Sequence, residues 1–179
     1  MKVVNLYAGP GAGKSTAAAH LFAKLKSHHI STELVGEFAK ELIYLGNDIQ
    51  LANQVYILGC QYRKLVDLKR HGISVAISDS PLLLQLVYCQ GQPYYEEIAA
   101  LVQKLNSEFD NIDVYLNRVN PYQIYGRVHS ELEAKHIDLK IKEALHDNFH
   151  YQIDANLEGL ELLETEIVKL VDKELLAQF

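Results

Sequence analysis

The chain of 179 residues is long enough for one substantial hydrophobic core, which predicts a single domain spanning residues 1–179. Its composition, 49% hydrophobic and 22% charged, is typical of a globular protein, and no apolar run approaches the ~18 residues of a membrane span. The net charge of −6 disfavours broad electrostatic binding to nucleic acid, and two cysteines without a partner pattern favour neither a disulfide framework nor a metal cage. The N-terminus enters a strand-like segment instead of a signal peptide, so we expect a cytoplasmic protein.

Short apolar or β-branched runs alternate with longer helical segments along the chain, a pattern typical of a parallel sheet covered by helices. The predicted strands are 2–8, 32–35, 74–78, 112–116 and 151–153. The predicted helices are 14–28, 38–45, 51–71, 82–90, 94–107, 131–148 and 158–177. The sequence therefore predicts a compact α/β domain with a five-stranded sheet.

A glycine-rich segment, "AGPGAGKST" at residues 8–16, joins the first predicted strand to the first predicted helix. Small residues let backbone N–H groups converge on phosphate oxygens, and the helix N-terminus adds its positive end. Lys14 can then reach the β- and γ-phosphates, and Ser15 can bind Mg²⁺. The residues predicted to bind the nucleotide are Gly9, Gly11, Ala12, Gly13, Lys14, Ser15 and Thr16.

This segment fits the P-loop pattern with one substitution, since Ala8 stands where the strict pattern has glycine. The dinucleotide fingerprint is excluded because Lys14 occupies the position of its third glycine. The expected ligand is therefore a nucleoside triphosphate.

Two acidic residues follow predicted strands: Glu37 after the second, in "ELVGEFAKEL", and Asp79 after the third, in "ISDSP". Because open α/β folds bind ligands at the carboxyl ends of their strands, we expect both carboxylates at one edge of the sheet. One can orient and deprotonate an acceptor hydroxyl while the other acts on Mg²⁺, and the sequence leaves open which does which. The alternative for each is a helix N-cap or an acid in a first helical turn.

The segment after the fourth predicted strand, "LNRVNPYQIYGRVHSELEAKHID", predicts a small lid at about residues 118–132. Arg118 and Arg127 flank a Pro/Tyr/Gly stretch, and Ser130 with Glu133 forms a capping-box pattern that opens the next helix. Such a lid can exclude water and bring guanidinium groups to the charge that builds on a transferring phosphoryl group. A solvated surface loop is the alternative.

The ends of the predicted strands also separate the classes of P-loop protein. A G-protein would need Asn-Lys-x-Asp to read guanine, whereas the fourth strand continues as "YLNRVNPY". A motor ATPase usually has a glutamate after the strand-end aspartate to polarise water, whereas Ser80 follows Asp79 here. The pattern favours phosphoryl transfer to a bound hydroxyl.

The order of P-loop, strand-2 glutamate, strand-3 "DSP" and Arg-containing lid resembles the nucleoside and nucleotide kinase branch of P-loop proteins, such as thymidylate, adenylate and deoxynucleoside kinases. Within that branch the chain is most similar to small phage-encoded kinases related to the nicotinamide riboside kinase domain of bacterial NAD regulators. The resemblance implies a three-layer P-loop NTPase fold, with ATP and Mg²⁺ as cofactors.

The resemblance also implies roles for particular residues. It makes Glu37 the base towards a sugar hydroxyl and assigns recognition of the nucleobase to a glutamine on the following long helix. Gln54 and Gln61 are the candidates, and a polar surface position is the alternative for each. The arginine that follows the third strand in deoxynucleoside kinases is missing here, where Ser80 and Pro81 stand.

The sequence thus leads to the hypothesis of a kinase that moves the γ-phosphate of ATP to a hydroxyl or monophosphate of a nucleoside, nucleotide or related small molecule. The predicted catalytic residues are Lys14, Glu37, Asp79, Arg118 and Arg127, and the predicted metal ligands are Ser15 and Asp79. Two alternatives stay open: a phage DNA kinase acting on a hydroxymethylpyrimidine base, and a non-catalytic nucleotide-dependent switch. A homodimer is left open, and a phage-encoded kinase would act in the host cytoplasm.

Overall fold

The computed structural model describes residues 1–122 and 130–176, with side chains described as far as residue 171. Five parallel strands form one sheet. In chain order they are β1 (Lys2–Tyr7), β2 (Thr32–Val35), β3 (Val75–Ser78), β4 (Asp110–Asn117) and β5 (Tyr151–Asp154). Their order across the sheet is β2-β3-β1-β4-β5, so the first strand lies in the middle.

Helices connect and cover these strands. They are α1 (Lys14–Ser27), α2 (Phe38–Tyr44), α3 (Asp48–Leu51), α4 (Gln54–Arg70), α5 (Gln85–Tyr88), α6 (Tyr95–Asn106), α7 (Glu131–Ala144) and α8 (Leu157–Leu176), with a 3₁₀ turn at Leu82–Leu84 before α5. Within the described ranges, no helix combines the length and apolarity needed to cross a membrane.

One face of the sheet packs against α1 and α8. Alternate residues of a strand point to opposite faces, and Val4 and Leu6 of β1 point to this one. They share a fully buried cluster with Leu21 of α1 and with Leu163 and Ile167 of α8. This layer fixes α1, the helix that follows the glycine-rich loop.

The other face packs against α4, α6 and α7. Val3 of β1 lies in a buried cluster with Leu58 of α4 and Val102 of α6. Tyr7 contacts a separate cluster that contains Tyr115 of β4 and Ile141 of α7. The result is three layers, helices on both sides of a parallel sheet, and the predicted α/β fold class is confirmed.

The long helix predicted at residues 51–71 is wrong at its start. It begins at Gln54 because the Asn53 side chain accepts a hydrogen bond from the Tyr56 N–H at 3.0 Å and caps the helix. The short helix α3 precedes it as a separate turn. The sequence carries a signal for this division, because Asn47 and Asn53 are both favoured N-cap residues and indicate two helix starts instead of one.

The helix predicted at residues 131–148 is correct at its start and too long at its end. It ends at Ala144, and His146 and Asp147 have φ angles of 52° and 51°. These left-handed residues stop the helical path. Neither glycine nor proline marks this end, so the sequence pattern overestimates the length of the helix.

The lid predicted at residues 118–132 is described only at its two ends, because residues 123–129, which include Arg127, lie outside the described residues. At its second end the predicted capping box is confirmed. The Ser130 hydroxyl accepts from the Glu133 N–H, and the Glu133 carboxylate accepts from the Ser130 N–H.

The parallel sheet brings the predicted site residues to one edge. Residues 8–13 follow β1, Glu37 lies just beyond β2, Asp79 follows β3 and Arg118 follows β4. In open α/β sheets this carboxyl edge is where ligands bind, near the point at which the strand order reverses. The four segments therefore surround one candidate site.

Candidate active site

The loop of residues 8–13 has the backbone that binding a phosphate requires. Gly11 and Gly13 have φ angles of 80° and 104°, a left-handed conformation that other residues rarely adopt. Gly13 is the N-cap of α1, and neither a capping side chain nor an acidic residue occupies the first turn. The N–H groups and the positive end of the helix are thus left available to an anion.

The side chain of Lys14, the first residue of α1, reaches back across this loop to its first residue. Its Nζ donates hydrogen bonds to the carbonyl oxygens of Ala8 at 2.6 Å and Gly9 at 3.3 Å. A phosphate oxygen is a stronger partner for an ammonium group than a neutral carbonyl is. Lys14 is therefore held where an incoming phosphate can recruit it.

Ser15 and Asp79 meet beside the loop. The Ser15 hydroxyl donates to Asp79 Oδ2 at 3.0 Å, joining the first turn of α1 to the end of β3. The other carboxylate oxygen, Oδ1, is buried and has no hydrogen-bond partner among the residues described. Hydroxyl and carboxylate oxygens are ligands that Mg²⁺ accepts together with phosphate oxygens and water, so this pair fits that ion.

Glu37 occupies the N-cap position of α2, but its side chain makes no capping hydrogen bond. The structure thus lacks the interaction that would explain Glu37 as a helix cap. Asp79 likewise binds Ser15 and caps no helix. Both carboxylates therefore lie at the carboxyl edge of the sheet, and neither of them caps a helix through its side chain.

Tyr88, at the end of α5, is within electrostatic reach of two carboxylates. Although 40% of its surface is exposed, burial of its hydroxyl, followed by the negative charges of Glu37 and Asp138, raises the pKa of that hydroxyl to about 12. Tyr88 therefore stays protonated at neutral pH and can donate a hydrogen bond. Glu37 and Asp138 are both close enough to act on its hydroxyl.

Arg118 forms a two-point ion pair with Asp138 of α7. Its Nε and Nη2 donate to Asp138 Oδ2 at 3.2 and 2.9 Å, and the two side chains are only 11% and 15% exposed. Asp138 Oδ1 accepts a hydrogen bond from the Gly9 N–H. The predicted lid arginine is thus bound to the helix that borders the glycine-rich loop.

Tyr122 covers the middle of the loop. A β-carbon at Gly11 would lie 2.8 Å from Tyr122 Cε2 and 3.3 Å from Arg118 Nη1. Glycine at this position is therefore required for space as well as for its backbone angle. The ring and the guanidinium group together border the loop on the side of β4.

Gln54 and Gln61 have different surroundings. Gln54 Nε2 donates to the carbonyl oxygen of Leu51 at 3.3 Å, at the start of α4. Gln61 is only 3% exposed; its Oε1 accepts from the Phe38 N–H at 3.4 Å, and its Nε2 is buried without a partner among the described residues. Gln61 is therefore no surface position, and it lies next to the start of α2, directly after Glu37.

Asp138 and Tyr122 are not predicted from any motif. A signal for Asp138 is nevertheless present, because it shares a helical face with Ala134 and Ile141, both fully buried. An acid on the buried face of a helix needs a partner. Tyr122, within a Pro/Tyr/Gly stretch, carries no comparable signal.

Comparison with known proteins identifies a family and solved structures that share the fold. A family described as AAA domain matches residues 3–158. A deoxyadenosine kinase from M. mycoides, with the products dCMP and a flexible dCDP bound, aligns with a TM-score of 0.58 at 16% identity, covering 95% of this chain and 100% of that chain. An APS kinase from Mycobacterium tuberculosis aligns with a TM-score of 0.53 at 16% identity, covering 96% of this chain and 97% of that one.

At this level of identity the two structures show a shared fold and nothing more specific. No curated protein sequence matches the chain. The family match, by contrast, covers most of the chain and includes the glycine-rich loop, both carboxylates and the Arg118–Asp138 pair. On this match the chain belongs to the AAA domain family.

Proposed function

We propose that the chain is an ATP-dependent kinase that transfers the γ-phosphate, with Mg²⁺ as cofactor, to a hydroxyl or monophosphate of a nucleoside, nucleotide or related small molecule. Residues 1–179 would form one kinase domain with a lid at about residues 118–132. The observation that carries the proposal is the Ser15–Asp79 hydrogen bond of 3.0 Å beside a glycine-rich loop, with Asp79 Oδ1 left buried and unpaired among the described residues.

The donor side of the reaction uses the loop and its surroundings. The N–H groups of the loop and Lys14 would bind the phosphates, and Ser15 and Asp79 would hold Mg²⁺. When bound, the ion neutralises charge on the β- and γ-phosphate oxygens. Arg118 lies close enough to Gly11 to add a donor for the transferring group, and Arg127 stays a prediction for the same role.

The acceptor would bind near Glu37 and Tyr88. Glu37 makes no cap bond, so its carboxylate is available to take the proton of an acceptor hydroxyl. The acceptor oxygen then bonds to the γ-phosphorus, the bond from that phosphorus to the bridging oxygen breaks, and ADP leaves. Gln61, with its buried unpaired Nε2 group, is the better of the two glutamine candidates for contacting the acceptor.

Transfer to an acceptor is favoured over hydrolysis by the residue after Asp79. Ser80 stands there, where a water-polarising glutamate would be expected in a hydrolase. The ring of Tyr122 and the Arg118 guanidinium also border the loop and reduce its contact with water. These features support the kinase proposal over a motor ATPase.

The test is consumption of ATP in the presence of Mg²⁺ and a panel of acceptors. The panel contains nucleosides including deoxyadenosine, nucleoside monophosphates, APS, nicotinamide riboside and DNA containing hydroxymethylpyrimidine. The expected result is a rate that one class of small molecule raises well above the rate without acceptor. Glu37→Gln should remove that stimulation, whereas Glu33→Gln, a matched change in a surface ion pair with Lys26, should keep it.

Other outcomes would favour the alternatives. Stimulation only by modified DNA would replace the small-molecule acceptor by a base within DNA. Binding of ATP without stimulation by any acceptor, unaffected by Glu37→Gln, would favour a nucleotide-dependent switch and contradict the proposal.

A further inference from the structure

Asp138 connects three elements through one carboxylate. Its Oδ1 accepts from the backbone N–H of Gly9, in the loop after β1, and its Oδ2 accepts from two nitrogens of Arg118, after β4. The carboxylate itself belongs to α7. Both oxygens are therefore occupied, and the helix, the loop and the arginine are fixed relative to one another.

The helix lies directly against the loop at this point. A β-carbon at Gly9 would collide with the carbonyl oxygen of Ala134 and would lie 2.8 Å from Asp138 Oδ1. Ala134 and Ile141, on the same face of α7, are fully buried. The position of Asp138 is thus set by close packing, and the ion pair adds to it.

One nitrogen of Arg118 takes no part in this ion pair. A guanidinium group has five N–H donors, and Asp138 engages Nε and Nη2. The third nitrogen, Nη1, is buried and has no hydrogen-bond partner among the described residues. It lies 3.3 Å from the position that a β-carbon at Gly11 would take. A buried unpaired donor is costly, and an anion in the loop would satisfy it.

We infer that Asp138 is a positioning residue that orients Arg118, so that Nη1 points to the phosphate end of a nucleotide held in the loop. The inference rests on the proposed function, because it assumes a phosphate in this loop. Asp138 acts through Arg118 and through Gly9, and it touches no substrate.

The sign of the effect separates this role from simple electrostatics. Asp138 carries a negative charge close to the loop, so removing that charge alone would strengthen binding of any nucleotide polyphosphate. If Asp138 instead orients Arg118, removing its charge should weaken the contact with the terminal phosphate. ATP and ADP differ by that phosphate, and the ratio of their affinities isolates the contact.

The experiment measures binding of ATP and ADP, each with Mg²⁺, by calorimetry for the intact chain, for two single variants and their double variant, and for two further variants described below. Asp138→Asn keeps the size of the side chain and an oxygen for the Gly9 N–H, and loses the pair with Arg118. We expect its preference for ATP over ADP to fall by about tenfold, as a lost hydrogen bond between charged groups predicts. Arg118→Ala should lose a similar factor, and the double variant should lose no more than either single variant.

Asp110→Asn is the matched control, because it removes a carboxylate from an ion pair with Lys2 at the opposite edge of the sheet. It should keep the ratio of ATP to ADP affinity unchanged. Thermal unfolding of each variant checks that it is folded. Arg118→Lys serves as a second probe, because lysine keeps the charge without the two-point geometry. Its preference for ATP should fall as in Asp138→Asn.

Three results would overturn the inference: an unchanged affinity ratio in Asp138→Asn, a higher ratio, or additive losses in the double variant. A higher ratio would mean that Asp138 withholds Arg118 from the phosphate. Because the measurement needs no acceptor, it stays informative if no kinase activity is found. Where activity is found, Asp138→Asn should lower kcat more than it changes KM for the acceptor.

Discussion

At the scale of single residues, Lys14 is a charged side chain that lies against the glycine-rich loop and outside the hydrophobic core. It donates hydrogen bonds to two carbonyl oxygens of its own loop and belongs to none of the buried clusters, so its removal should leave the packing of the sheet intact. We expect Lys14→Ala to abolish acceptor-stimulated ATP consumption and to unfold at nearly the same temperature as the unchanged chain.

The matched control for this prediction is Lys26→Ala. Lys26 lies on the same helix and pairs with Glu33 at the surface, so this variant should remain fully active. Activity measured for both variants, with circular dichroism as a check of folding, decides the outcome. Full activity of Lys14→Ala would contradict the P-loop assignment.

Residues that belong to a contiguous motif could be predicted, and residues brought in from elsewhere could not. The P-loop residues and the two strand-end carboxylates follow from local spacing, because loop, strand end and helix start are neighbours in the chain. Asp138 reaches Gly9 across a separation of 129 residues, and no local pattern encodes that meeting. The roles of the predicted site residues, including Arg127, stay predictions.

At the scale of elements, the contact between α7 and the glycine-rich loop is the tightest junction of the site. Gly9→Ala should collide with Ala134 and Asp138, and we expect it to lower the free energy of unfolding by about 1–3 kcal/mol, as overpacked sites do. It should also weaken nucleotide binding, because α7 or the loop must move.

Gly59→Ala provides a control of opposite sign. Gly59 lies inside α4, and no atom lies within 4 Å of a β-carbon placed there. Alanine in the interior of a helix is more stable than glycine by about 0.5–1 kcal/mol. Urea denaturation of both variants tests the pair, and equal effects would show that the close contact at Gly9 has no energetic importance.

The elements themselves were largely predictable, and their ends were less so. Strand β2 is correct to the residue, and the other strands differ by one or two residues at their ends. The end of α7 was missed because His146 and Asp147 adopt left-handed angles that glycine usually supplies. The start of α4 was missed because apolar spacing extends beyond the cap at Asn53.

At the scale of the whole molecule, buried tyrosines couple stability to pH. Tyr7 has no exposed surface, and its hydroxyl donates to Asp113 at 3.1 Å. Burial, followed by the negative charge of Asp113, raises the pKa of Tyr7 well above its ordinary value. Below about pH 10 tyrosine is protonated in both the folded and the unfolded chain, and this residue contributes its full share of stability.

Above that pH the unfolded chain releases the proton while the folded chain keeps it, so the free energy of unfolding should fall by about 1.4 kcal/mol per pH unit for this group. We expect Tyr7→Phe to lose this part of the slope, whereas Tyr44→Phe, at a residue 72% exposed, should retain it. Urea denaturation at about pH 9, 10 and 11 measures the slopes. Parallel slopes for the unchanged chain and Tyr7→Phe would contradict the prediction.

The layered architecture could be predicted from the alternation of strands and helices, but the order of the strands could not. Each strand is short, so the sequence pattern identifies the strands without indicating which of them are neighbours. The order depends on which helices fill which face, and those contacts join distant parts of the chain.

The central place of β1 has a consequence for how the protein is made. This strand is synthesised before the other four strands, and its partners β3 and β4 are more than seventy and one hundred residues later in the chain. At the usual pace of translation, roughly 5–20 residues per second, several seconds pass before the last of them leaves the ribosome. During that time the glycine-rich loop has been translated but has no sheet to anchor it. The nascent chain must therefore keep a strand that is buried along its whole length in the folded protein from aggregating until its partner strands arrive.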